Sequence, residues 1–270
     1  MSRLVGILII LFVCLQAGAQ EAPCTRRYLV AVSTYAPHFY RDFMNRPKGL
    51  THDFIEILRE RMGCVFIEKD LARPVVLEQM KTGRMDLAFL MAKNLDYDRS
   101  GIFFPIYLIK RELVVDKAFY SKEKSFADYL NDKKITYGTY IGSRAALKPA
   151  EESELFKKRR ILEAVDVASI YDFLKHKRVQ AVMMSPMIND YHIKRLKIED
   201  QVVRILDGEN TVEVGIYFSK RRISKNERTQ IEAAIESMKL DGTLLRLLMN
   251  YIPKESDVTL IGENLPIKRR

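Results

Sequence analysis

The sequence predicts an α/β protein of two lobes, each a mostly parallel sheet flanked by helices. Short apolar runs of strand length alternate with segments of helical period along most of the chain. The cycle then restarts near Ser125 without any repeat in sequence, giving two units of roughly 100 residues each, the size of small domains. Leu87–Met91 is an unbroken apolar run, as a strand buried on both faces requires.

The elements follow in order. Tyr28–Ser33 reads as a strand. Asp53–Met62 reads as a helix, with Phe54, Ile57, Leu58 and Met62 at helical spacing and Gly63 as its stop. Val65–Lys69 is a strand, Val75–Thr82 a short helix closed by Gly83, Leu87–Met91 a strand and Glu112–Asp116 another. In the second unit Ser125 fits an N-cap for Phe126–Leu130. Lys134–Tyr137 is a strand, Gly138–Ser143 a loop, and a helix lies around Arg144–Leu147. Arg160–Glu163 is a strand, Ala168–Lys175 a helix, and Val179–Met184 a strand ending at Ser185. Val214–Ser219 returns as a strand, followed by the amphipathic helix Lys225–Leu240, a break at Asp241-Gly242-Thr243, and a last helix Leu244–Tyr251.

Chain crossings near Leu113–Lys117 and Thr211–Gly215 make the first lobe discontinuous. It spans residues 21–112 and 214–253, with 113–213 as the second lobe and 254–270 as a polar tail. Two crossing strands form a natural hinge.

Residues 1–19 read as a Sec signal peptide. Arg3 is the positive start, Leu4–Leu15 the apolar run and Ala17-Gly18-Ala19 the cleavage site. That run is shorter than the ~20 residues a spanning helix needs, so the expected product is exported to the periplasm. The hydrophobic fraction of 47% is enough for a full core, and 30% charge argues against extended disorder.

The net charge is +10, but Lys and Arg are spread along the chain. The clusters Lys157–Arg160 and Lys220–Arg222 have no interleaved aromatics, so they read as solvated faces and nucleic acid is not an expected partner. Of the three cysteines, Cys24 and Cys64 lie beyond the leader and each precedes a predicted strand. Export and adjacent parallel strands predict a disulfide between them, with two buried thiols as the alternative.

Arg99 follows the apolar strand Leu87–Met91 in a polar loop, a fixed cation beyond the carboxyl end of a parallel strand. Open α/β sheets hold ligands there. The alternative is a surface arginine paired with Asp96 or Asp98.

Several short motifs stand in a telling order: Gly49-x-x-x-Asp53-Phe, Gly83-Arg-Met-Asp86, Asp96-Tyr-Asp-Arg99, Phe104-Pro-Ile-Tyr107 and Asp241-Gly-Thr243. In that order the chain resembles the periplasmic solute-binding proteins of the amino-acid type, family 3. The resemblance implies a type II periplasmic-binding-protein (flytrap) fold that closes two lobes on a small ligand for an ABC-type importer. It implies that Arg99 grips a carboxylate and that Tyr35 stacks on the ligand, with Phe39 in the core. Lys93 and Asn94 share the Arg99 loop; Lys93 is either a second cation at the site or solvent-facing. Ser143 and Arg144 align with a loop whose N–H groups bind a carboxylate, with Gly138-Thr139 as the alternative register.

Ser185 departs from the family pattern, standing where amino-acid binders carry an aspartate for the ligand's ammonium. Gln180 likewise replaces a usual aspartate. Serine cannot neutralise an ammonium in a closed cleft, so an anionic ligand without an amine is expected over a zwitterion.

No cofactor and no metal site is expected. The four histidines, His38, His52, His176 and His192, are scattered without metal-ligand spacing, and Ser121–Lys124 matches Ser-x-x-Lys without its companion motifs. The expected product is a monomeric binding protein, not an enzyme. The alternatives are a secreted cyclohexadienyl or arogenate dehydratase-like enzyme on this fold, with His38 or Glu213 as its acid, and a stand-alone sensory module.

Overall fold

The computed structural model describes residues 24–141, 147–253 and 258–262. Lobe 1 begins with β1 (Arg27–Val32), the hairpin β2 (Tyr40–Arg41) and β3 (Pro47–Lys48), α1 (Leu50–Met62), β4 (Val65–Asp70), α2 (Arg73–Thr82), β5 (Leu87–Ala92) and the one-turn helix α3 (Leu95–Asp98). The long strand β6 (Gly101–Asp116) leads into lobe 2. There α4 (Phe126–Asn131), β7 (Tyr137–Tyr140), α5 (Pro149–Lys157), β8 (Ile161–Ala164), α6 (Val167–Lys175), β9 (Ala181–Met184) and α7 (Pro186–Leu196) follow. A second long strand, β10 (Val202–Ser219), returns to lobe 1, which α8 (Lys225–Leu240), α9 (Thr243–Tyr251) and β11 (Val258–Leu260) complete.

Local chemistry fixes several of these elements. The main chain enters α1 through Gly49 at φ 109, where a Cβ would lie 2.5 Å from the Pro37 carbonyl oxygen, so only glycine fits. Capping boxes start α4 (Ser125 with Asp128) and α8 (Ser224 with Glu227).

Apart from the β2–β3 hairpin, the strands form one sheet in the order β4-β1-β5-β10-β6-β9-β7-β8, with β11 added along β6. Strands β4, β1 and β5 are parallel, as are β8, β7 and β9, and the halves are stitched by antiparallel β6 and β10. The amino-terminal part of β6 pairs with the carboxyl-terminal part of β10 in lobe 1, and the other halves pair in lobe 2, where β6 also meets β9. Between Leu206 and Thr211 the ladder shifts register opposite Arg111, so the lobes join at Lys110–Arg111 and at residues 207–210. This junction is held from within. Buried Arg111 donates to Asp207 at 2.7 Å and to Glu151 at 2.6 Å, and Asp207 accepts from the backbone N–H of Glu209 at 2.9 Å.

Each lobe has an apolar layer on both faces of its sheet. In lobe 1, Phe54, Leu58, Ile231, Ile235 and Leu248 cover one face, while Val76, Met80, Tyr97 and Tyr217 cover the other. In lobe 2, Ile170, Tyr171 and Ile188 cover one face and Tyr129, Ile135 and Leu155 the other. Cys24 and Cys64 are joined by a disulfide. No described helix is long and apolar enough to cross a membrane.

Four sequence expectations are corrected. The strand placed at Lys134–Tyr137 lies at Tyr137–Tyr140. Gly138 is there for close packing, not for a turn: its Cβ would be 2.7 Å from Ile170 Cγ2. The polar loop after Ala92 contains α3, because the Asn94 side chain accepts from the Asp96 N–H at 2.8 Å and nucleates a turn. The polar tail holds a strand, since Val258 and Leu260 alternate into the core. Arg160 is not on a solvated face. It is buried and donates to the carbonyls of Ile135 at 2.8 Å and Leu130 at 2.7 Å, where α4 ends.

Candidate functional site

The carboxyl ends of the parallel strands of both lobes face one another. From lobe 1 come the loop after β1, with Tyr35 and His38, and the start of α2 after β4, with Arg73. From lobe 2 come Thr139 and Tyr140 at the end of β7 and Ser185 after β9. Tyr35 packs in the buried cluster of lobe 2, and its ring centroid is 6.3 Å from that of Tyr140. At the rim, Tyr40 of lobe 1 lies 6.3 Å from Tyr191 of lobe 2. The lobes are therefore in aromatic contact.

Arg73 is the cation of this region. Its Nη2 donates to the Tyr35 hydroxyl at 2.7 Å, its Cζ lies 5.3 Å from the Tyr35 ring centroid, and its carbonyl accepts from the Tyr97 hydroxyl at 3.0 Å. Burial opposes its charge, and the hydroxyls of Tyr140 and Tyr35 more than offset this, so its pKa moves up and the group stays protonated. No described carboxylate pairs with it.

His38 stacks obliquely on Tyr35 at 5.0 Å. Burial, reinforced by the Arg73 charge, pushes its pKa down to about 3, so it is neutral. His192 on α7 lies against Tyr171 at 4.6 Å, and burial, with Arg195, lowers it to about 4. The Ala36 carbonyl of lobe 1 opposes that shift without a well-directed hydrogen bond.

The polar atoms here share one property. Arg73 Nε, His38 Nδ1, Thr139 Oγ1, Ser185 Oγ and both ring nitrogens of His192 are buried and lack a hydrogen-bond partner. Among the described residues only Arg26 Nε shares that state elsewhere. Each such group costs about 1–3 kcal/mol unless something satisfies it. A cluster of them at strand ends is the chemistry of a polar ligand site.

The residues singled out from sequence fall in three groups. Tyr35 and Ser185 lie in this cluster. Lys93 and Asn94 lie on the β5–α3 connection and Arg99 directly after α3, but their described contacts do not join it. Asn94 caps α3, with its N–H and carbonyl on the Tyr217 hydroxyl at 2.8 and 3.1 Å. Lys93 forms an ion pair with Glu213 at 3.0 Å and is half exposed. Arg99 is exposed at the end of α3; its N–H donates to the Tyr97 carbonyl and its own carbonyl accepts from Lys220, and no described partner meets its guanidinium. Ser143 and Arg144 lie outside the described residues. Gln180 has a structural task, accepting from the Thr136 N–H at 3.0 Å.

Sequence reasoning missed Arg73 and Tyr140, and held Thr139 only within the alternative register of the Ser143–Arg144 loop. The rule applied to Arg99, a cation beyond the carboxyl end of a parallel strand, applies equally to Arg73 after β4. The expected helix start at Val75 left that arginine unassigned.

The sequence matches the profile of the bacterial extracellular solute-binding proteins, family 3, over residues 29–254. Comparison with curated proteins gives no match. Solved structures share the fold at low identity. A mutant of ArgBP from T. maritima is 17% identical, with a TM-score of 0.68 over 83% of this chain and 94% of that one. A histidine kinase sensor domain similar to periplasmic binding proteins is 12% identical, with 0.70 over 84% and 96%. An ancestral amino acid-binding protein, described as a precursor of cyclohexadienyl dehydratase, is 18% identical, with 0.68 over 84% and 96%.

Proposed function

This chain belongs to the bacterial extracellular solute-binding proteins, family 3, and on that premise we propose that it captures a small carboxylate-bearing solute between its lobes in the periplasm and delivers it to an ABC-type importer. The observation that carries the reading is the buried Arg73 Nε among partnerless polar atoms from both lobes. A half-buried guanidinium whose enclosed Nε has no carboxylate is costly, and an anion offsets that cost with charge-assisted hydrogen bonds.

The surroundings favour an anion over a zwitterion. His38 and His192 are neutral, and Ser185 offers a hydroxyl where an ammonium would need a carboxylate. Lys93 is already paired with Glu213, which leaves Arg73 as the proposed anchor and Arg99 as its rival on the neighbouring loop. Ser143 and Arg144 remain proposed contributors from lobe 2. Binding is favoured over dehydration because neither proposed acid is suited to it: His38 is neutral near neutral pH and lacks the imidazolium proton a general acid gives up, and Glu213 is held by Lys93.

Calorimetric titration with a panel of organic acids and amino acids, on the wild type and on Arg73→Ala and Arg99→Ala, tests this. Binding of an amine-free acid that Arg73→Ala weakens by about 2–5 kcal/mol is expected. Tight binding of a zwitterionic amino acid alone sinks the ligand class. A loss confined to Arg99→Ala transfers the anchor to α3.

A further inference from the structure

We infer that His52, Glu56 and Glu68 form a binding site for a zinc-type divalent ion at the β4 edge of lobe 1. His52 and Glu56 are one turn apart on the same side of α1, the i,i+4 spacing that brings two side chains together. Glu68 comes from β4, the edge strand that α1 covers, and shares its face with buried Phe66. The sequence hid this site because the third ligand is on a strand, not on the helix.

The donor atoms of the three residues all lie within 4.8 Å of one another. His52 Nδ1 is 2.8 Å from Glu68 Oε1 and 3.8 Å from Glu56 Oε1. That nitrogen carries one proton at most, so it bonds one carboxylate and leaves the second beside it at like charge. Arg59 pairs with Glu56 and also donates to the Phe66 carbonyl at 2.8 Å. With a neutral imidazole the group of four keeps one surplus negative charge, on an inward-facing carboxylate that is only 10% exposed.

One imidazole nitrogen and two carboxylates are a donor set that zinc accepts, with water in the remaining position. Tetrahedral bonds of about 2.0–2.2 Å put ligand atoms roughly 3.3 Å apart, so the His52–Glu68 pair, at 2.8 Å, opens slightly while the Glu56 carboxylate, 3.8 Å from His52, moves in. Glu56, on the exposed side, supplies that movement by a side-chain rotation that releases Arg59. Calcium, which takes six or more oxygens, does not fit. Manganese should bind more weakly than zinc.

Titration of the disulfide-intact protein with zinc chloride, followed by calorimetry and by thermal midpoint, tests the site. One equivalent of zinc should bind with a rise in midpoint, and calcium should do neither. His52→Ala and Glu68→Gln should each weaken zinc binding by more than about tenfold. Glu56→Gln, on the exposed side, gives a third variant that leaves the packing of α1 on β4 untouched. Absence of zinc binding by the wild type, or affinity unchanged in the folded variants, overturns the assignment. Interlobe ligand binding reads out separately, so failure here leaves the carboxylate reading standing.

Discussion

Tyr35 of lobe 1 meets Tyr140 of lobe 2 with ring centroids 6.3 Å apart, so the lobes touch through aromatic side chains next to Arg73. Such a pair contributes about 0.5–1.5 kcal/mol beyond the area it buries. Tyr140→Ala should therefore shift the unliganded protein toward a more open form. Small-angle scattering should report a larger radius of gyration for the variant. Identical scattering curves would show that this pair does not hold the lobes together.

Arg73 should be a liability to the empty protein. Its guanidinium is half-buried, with Nε enclosed and no described carboxylate beside it, and a hydrophobic residue of similar reach avoids the desolvation cost. Arg73→Met should leave the unliganded melting temperature unchanged or raise it, while abolishing carboxylate binding. A clear fall in that temperature would mean that the charge is structural.

The Cys24–Cys64 disulfide spans 40 residues. The chain-entropy account assigns such a loop about 4 kcal/mol. Cys24→Ala with Cys64→Ala should lose stability of that order in urea unfolding while keeping ligand affinity, because the bridge sits at the amino ends of β1 and β4, opposite the cleft. Loss below roughly 1 kcal/mol would contradict the chain-entropy account for this loop.

Acid should destabilise the fold through two histidines. Their ordinary pKa is 6.5, and folding lowers it to about 3 at His38 and about 4 at His192. The unfolded chain therefore binds these protons first. Their contribution is full above about pH 6.5 and is lost as pH falls toward 4, at up to ~1.4 kcal/mol per unit for each histidine. Urea midpoints measured across that range should show the slope in the wild type and a shallower one in His38→Asn with His192→Gln. An unchanged slope would assign the effect to carboxylates instead.

Two glycines of β10 should respond oppositely to alanine. At Gly215 a Cβ would sit 2.0 Å from the Phe104 carbonyl oxygen, whereas at Gly208 nothing lies within 4 Å. Gly215→Ala should cost at least about 1–3 kcal/mol, as overpacking does. Gly208→Ala should fall within roughly 0.5 kcal/mol of wild type. Equal thermal midpoints for the two would contradict the close approach at the register shift.

Much of the fold was legible because the signals were local. Gly63 and Gly83 end α1 and α2 in the left-handed conformation, Ser125 caps α4, and the apolar period of α8 is clean. Elements set by distant contacts were not legible. The length of β6 and β10 comes from their mutual pairing, and β11 exists because Val258 and Leu260 find β6. At the site, Tyr35 and Ser185 stood at strand ends that the pattern located. Arg73 became visible only once Tyr35, Tyr97 and Tyr140 had been brought around it from three other elements.

Because β6 and β10 exchange the chain between lobes, the order of synthesis and the order of completion differ. Lobe 2 is one uninterrupted stretch and has all its parts once the first half of β10 is made. Lobe 1 must wait for α8, α9 and β11, whose Ile231, Leu248 and Val258 close the same core as Tyr28 and Phe54. A chain emerging from its amino end therefore carries β1, β4 and β5 with one apolar face bare until its last residues arrive. That interval is when a nascent copy most needs a chaperone to shield it.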